Sequence, residues 1–198
     1  MGNPNVENIR DWEEFLDGNR PAFSRIYQAH FSALHNYGYR LSGSSSLAKD
    51  AIQQLFVKLW NHRQNLSTPA SVRHYLLKAL RRILLDHKKS RDIFCDFPDN
   101  YSTTAENSQE FLLIKEIAWN EQNQFLKEAL EKLTKRQKEA IYLKFFENLS
   151  YDEIASAMCL TVKSVYNLIS KAIDVLRQNT PYVNFMLFTS LLTTTLNI

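Results

Sequence analysis

Glycine is scarce in this chain: four in 198 residues, at positions 2, 18, 38 and 43. With none clustered, no glycine-rich loop is available to cradle phosphates in the manner of nucleotide-binding enzymes. Cysteine is nearly absent too. Cys95 and Cys159 lie far apart with no His or Cys at ligand spacing, which excludes a disulfide framework and a zinc site and fits a reducing cytoplasm. No nucleophile elbow, Ser/His/Asp order or His-x-x-x-His pair stands out. The carboxylate pairs Glu13-Glu14 and Asp152-Glu153 are expected at helix starts, where they complement the dipole rather than act as acid and base. The residues thus offer no catalytic set, no metal site and no cofactor or small-molecule site. No apolar run reaches the ~20 residues that a membrane span requires, and the polar, acidic start is expected to carry no secretory signal.

Few prolines and few β-branched runs leave helix as the favoured state, and 44% hydrophobic residues suffice for real cores. The net charge of +3 is modest, so its distribution carries more information than its sum. The most informative stretch is 149–177. Ser150 with Glu153 three residues later spells a capping box, and Ile154, Ala155 and Met158 follow at helical spacing. Cys159-Leu160-Thr161 makes a tight connection, with Thr161 placed to cap a second helix. There Val162, Val165, Ile169, Ala172, Ile173 and Leu176 share one side, leaving Lys163, Tyr166, Asn167, Ser170 and Lys171 on the other. Two short helices so joined read as a helix-turn-helix; an ordinary helical hairpin is the competing reading.

The rest of the chain falls into a helical domain at 10–91, an acidic linker at 92–110, a second helical domain at 111–180 and an apolar tail at 181–198. In the first domain a helix is expected over Asp11 to Leu16. A second runs from a cap at Asn19 to about Leu41, with Phe23, Ile26, Tyr27, His30, Phe31, Leu34 and Tyr37 as a core stripe. A third, Leu47 to His62 capped by Ser46, has Ile52, Leu55, Phe56, Leu59 and Trp60 inward and Asp50, Gln53, Gln54, Val57 and Lys58 outward. Helix four, about Ala70 to Lys89, carries Arg73, Lys78, Arg81, Arg82, Lys88 and Lys89, with Arg91 just beyond, against the single acid Asp86. That much positive charge on one helix is a footprint for phosphate, with a merely solvated face as the alternative. In the second domain Thr134 caps Lys135 to Glu147, with Ala140, Ile141, Leu143 and Phe145 inward. The tail, with Phe185, Met186, Leu187, Phe188, Leu191 and Leu192, reads as a terminal helix docking on the second domain.

Two stretches in this order resemble the extracytoplasmic-function (ECF) group of bacterial sigma factors. Residues 48–60, AKDAIQQLFVKLW, are similar to that family's polymerase-binding helix; residues 133–143, LTKRQKEAIYL, with 149–177, are similar to its domain that reads the upstream promoter element. The resemblance covers about residues 19–177. It implies an all-α protein of two small helical domains joined by a flexible acidic linker, the second ending in the helix-turn-helix. It implies a cytoplasmic initiation factor, not an enzyme, with core RNA polymerase and promoter DNA as partners and a membrane-anchored anti-sigma protein as its inhibitor. By the same resemblance Asp50, Gln53, Gln54, Leu55 and Lys58 grip polymerase. Leu66, Ser67, Thr68 and Arg73 capture an unstacked base of the −10 strand, while Lys78, Arg81 and Arg82 hold its phosphates. Thr161, Lys163 and Ser164 meet a phosphate at the −35 element, where Tyr166, Asn167, Ser170 and Lys171 read base edges. Relatives carry an acid at the place of Gln54, asparagine near Arg82 and arginine at the place of Tyr166. Two rivals stand beside this reading: a sigma mimic that titrates an anti-sigma protein, and a dimeric helix-turn-helix regulator on a palindromic site.

Overall fold

A computed structural model describes residues 4–91 and 124–179, and every regular element among the described residues is helical. The chain divides into two compact units, Met1–Pro98 and Asp99–Ile198. The linker 92–110, the segment 111–123, Cys95 and the apolar tail lie outside the described residues.

The first unit packs four helices: α1 (Pro4–Leu16), α2 (Arg20–Ser42), α3 (Ser45–His62) and α4 (Val72–Arg91), with a single 3₁₀ turn, Arg63–Asn65, between the last two. Helix α1 begins well before Asp11, so Glu13 and Glu14 sit in its last turns and not at its start. They serve there as ion-pair partners instead: Glu14 meets Arg10 at 3.4 Å and Arg25 at 2.8 Å. Asn19 caps α2 as its sequence implies, its side-chain oxygen accepting from the Ala22 amide at 3.1 Å, with Pro21 in the first turn. Gly43 closes α2 at φ 72°, a left-handed conformation that costs glycine nothing. The cap of α3 is Ser44, not Ser46; its hydroxyl accepts from the Leu47 amide at 3.3 Å. Ser71 does the same for α4 by accepting from His74 at 3.2 Å, which starts that helix at Val72 rather than Ala70.

Trp12 and Phe15 of α1, Ile26, Leu34 and Tyr37 of α2, Ile52, Leu55, Phe56 and Leu59 of α3, and Val72, Leu76, Leu77, Leu80, Ile83 and Leu84 of α4 are buried together. Helices α2 and α3 approach closely at Gly38, where an added Cβ would lie 3.1 Å from that of Ala48. The expected aromatic stripe of α2 divides at this point. Ile26, His30, Leu34 and Tyr37 are core, whereas Tyr27 is exposed and Phe23 and Phe31 are half-buried. These outer rings form a surface row with α3, Phe23 lying 5.1 Å from Trp60 and Tyr27 4.9 Å from Phe56.

In the second unit the described helices are α5 (Gln124–Glu131), α6 (Lys135–Phe145), α7 (Tyr151–Met158) and α8 (Val162–Asn179). Helices α6 and α7 both open on complete capping boxes, Thr134 with Gln137 and Ser150 with Glu153, each satisfying two otherwise orphaned amides. Ala140, Ile141 and Leu143 of α6 are buried as expected, while Phe145 is half-buried. Glu147 is the surprise in this core: its carboxylate, 4% exposed, accepts from the buried Tyr142 hydroxyl at 2.6 Å. Leu149, Ile154, Ala157, Met158, Val165, Ile169, Ala172 and Leu176 complete the interior.

Candidate nucleic-acid interface

Helices α7 and α8 are joined through Cys159, Leu160 and Thr161. Cys159 terminates α7 with φ 55°, and its amide donates to the Ala155 carbonyl. Thr161 then starts α8: its hydroxyl oxygen accepts from the Ser164 amide at 3.2 Å and lies 2.8 Å from the Ser164 hydroxyl. Two short helices joined by a sharp reversal and an immediate re-capping have the form of a helix-turn-helix. Val165, Ile169, Ala172 and Leu176 anchor one side of α8; Val162 and Ile173 are half-buried at its margin. Thr161, Lys163, Ser164, Tyr166, Asn167, Ser170 and Lys171 are all exposed. All seven residues expected at the −35 element are thus accessible to solvent. A positive helix end beside two hydroxyls suits a phosphate; an amide side chain and an ammonium two turns along suit adenine and guanine edges.

Tyr151 and Lys144, which apolar spacing did not single out, flank this face. Tyr166, though 53% exposed, lies flat against Tyr151 at the start of α7, with ring centroids 3.8 Å apart and planes 9° from parallel. Lys144, from the end of α6, places its ammonium 4.9 Å from the Tyr151 ring centroid and donates to the Leu149 carbonyl at 3.3 Å. Helical periodicity could not reveal a contact between the start of one helix and the middle of another.

In the first unit the loop between α3 and α4 holds Leu66, half-buried, with Ser67 and Thr68 exposed. It is tied down by α1: the indole N–H of fully buried Trp12 donates to the Ser67 carbonyl at 3.3 Å, and the same ring packs edge-on against Tyr75. Along α4, Arg73, Lys78 and Arg82 are exposed and Arg81 is half-buried. Lys78, Arg81 and Arg82 stand at i, i+3 and i+4 and so share one face. Lys88, Lys89 and Arg91 continue this helix, their side chains outside the described residues. Beneath it His30 of α2 is buried, and burial, reinforced by the positive charge of Arg73, lowers its pKa to about 4.

On α3, Asp50, Gln53 and Lys58 are exposed together with Val57, which is 53% exposed. Two of the expected polymerase-facing residues do not share that position. Leu55 is 3% exposed; one step of 100° beyond Gln54 turns it into the core. Gln54 is half-buried and its side-chain oxygen accepts from His87 Nε2 of α4 at 2.7 Å, so it acts chiefly as an inter-helix link. Among the described residues no helix is long and apolar enough to cross a membrane.

Comparison with known proteins gives matches in both units. Residues 26–93 match the family model of sigma-70 region 2, and residues 126–175 match that of sigma-70, region 4. The chain is 23% identical over 165 residues to the RNA polymerase sigma factor YlaC of Bacillus subtilis, spanning 81% of this chain and 92% of that protein. It is 22% identical over 156 residues to the ECF RNA polymerase sigma factor SigL of Mycobacterium tuberculosis, spanning 77% and 85% respectively. In structure it resembles CnrH, solved in complex with the cytosolic domain of CnrY: TM-score 0.59, 19% identity, 87% of this chain and 96% of that one. It also resembles RpoE of Bartonella quintana, solved with the anti-sigma factor NepR, with TM-score 0.57, 20% identity, and 79% and 94% coverage. At such identities the structural likeness establishes a common fold.

Proposed function

This chain belongs to the sigma-70 family, in its ECF group, and is a transcription initiation factor; we propose that its two units divide promoter recognition between the residues described above. Residues 111–180 read the −35 element. Thr161, Lys163 and Ser164 hold a backbone phosphate, and Tyr166, Asn167, Ser170 and Lys171 face base edges in the major groove. Residues 10–91 bind core polymerase and open the −10 region. Leu66, Ser67, Thr68 and Arg73 receive an unstacked base from the −10 strand, at the cost of unstacking that every flipped base carries. Lys78, Arg81 and Arg82 neutralise strand phosphates, a contribution blind to sequence and sensitive to salt. Asp50, Gln53 and Lys58 form the polymerase-facing surface with Val57, and Gln54 ties that helix to α4 through His87.

The observation that carries this reading is the exposed, polar face of α8 behind a capped turn, in one chain with the tethered loop and basic face of α4. Residues 92–110 act as the linker between the two units. The chain works as a binding factor without catalytic chemistry of its own, in the cytoplasm with polymerase. An anti-sigma protein, in the manner of those bound to the solved relatives, restrains it.

Run-off transcription with cognate core polymerase over a library of upstream regions tests the assignment. Transcripts that begin only when the chain is present, from sites sharing one pair of elements, are the expected result. A chain that binds core polymerase yet starts no transcript, or that binds neither core nor promoter, contradicts it.

A further inference from the structure

Tyr166 occupies an unusual position for a residue facing a DNA groove. It projects from the exposed side of α8, yet one face of its ring is covered by Tyr151 at 3.8 Å and 9°. The covering ring is itself held at a rigid point. Tyr151 is the first residue of α7, directly after Ser150, whose amide donates to Glu153 at 2.8 Å and whose hydroxyl oxygen accepts from the Glu153 amide at 3.2 Å. The Lys144 ammonium, 4.9 Å from the Tyr151 ring centroid, adds a cation–π contact to the same ring. A tyrosine on an open helix face would otherwise sample several rotamers and would have to be ordered when DNA binds.

We propose that Tyr151 is a positioning residue for −35 readout: by stacking on Tyr166 it fixes that ring so that its free edge and hydroxyl meet one base pair. The inference rests on the proposed reading of Tyr166 as a base-facing residue and deepens it. With one face covered, Tyr166 is not free to slide between bases. It is left with edge contacts in the groove, and an aromatic edge held at constant height favours an apolar partner such as the C5-methyl of thymine. The selectivity at that position then depends on a residue that need not touch DNA.

The test uses the full chain assembled with core polymerase, at fixed salt, on a set of −35 sequences carrying every single-base change. Tyr166→Ala is expected to flatten the preference at one position. Tyr151→Ala and Tyr151→Leu, the latter keeping apolar bulk without a ring, are expected to lower selectivity at that same position by about 2- to 10-fold, the range set by the worth of an aromatic pair. Tyr151→Phe retains the stack and should restore the original preference. If Tyr151→Leu weakens all sequences equally, or leaves the preference intact while Tyr166→Ala flattens it, Tyr151 is structural and the inference fails alone. If Tyr166→Ala changes no preference at all, Tyr166 is not a reader and the underlying assignment fails with it.

Discussion

Lys171 stands on the exposed face of α8, one helical turn beyond Asn167. If it holds a guanine, Lys171→Ala should cost ~1–3 kcal/mol in −35 binding and relax selectivity at one position, as a footprint over base-substituted promoters would show. Ser150 belongs to a different class. Its exchange of hydrogen bonds with Glu153 satisfies two amides at the start of α7, so Ser150→Ala should lower the stability of the second unit by ~1 kcal/mol, read from denaturant unfolding. Both residues were legible in the sequence because caps and amphipathic faces are local: they depend on spacings of three and four. Leu55 was legible as core from apolar spacing and is buried, against the polymerase-gripping role that the resemblance implied. Gln54 was less so, since its bond to His87 of α4 has no signature in the spacing of α3. Trp12 is a core residue of α1. That its indole also fixes the Ser67 carbonyl, 55 positions away, has no signature in periodicity.

At the scale of the element, α4 combines a core stripe with a basic face and continues from a loop whose backbone is pinned by α1. If its cations act on phosphate as a group, removing one should change salt sensitivity more than sequence preference. Lys78→Ala should reduce the slope of log binding constant against log salt by about 1, with little change in the ranking of −10 sequences. An unchanged slope would place Lys78 off the DNA. Helix identity and order in this unit were evident from apolar spacing alone. The ends were less secure, since several serines compete for each cap. Ser44 outcompetes Ser46 because Gly43 turns the chain in a left-handed step just before it, bringing the Ser44 hydroxyl under the Leu47 amide.

At the scale of the whole molecule, two units with separate cores imply that promoter elements are read by bodies with separate stabilities. The first carries a built-in sensitivity to acid. His30 is 5% exposed, and its pKa falls from the ordinary 6.5 to about 4 in the fold. The folded form therefore refuses a proton that the unfolded chain accepts. The stabilisation is complete above pH 6.5 and is lost progressively as pH falls towards 4, amounting to about 3 kcal/mol over that window. His30→Gln should flatten the dependence, measured as the melting temperature of the first unit across the same window. The second unit has its own signature in time. Helix α7 spans eight residues, below the ~12–15 at which an isolated helix persists in water. Its persistence therefore rests on packing against α6 and α8. In hydrogen–deuterium exchange the amides of α7 and the first half of α8 should be released together, with one opening free energy. Joint release would make the turn between α7 and α8 one cooperative unit, so that the face of α8 would be lost or kept whole rather than frayed residue by residue.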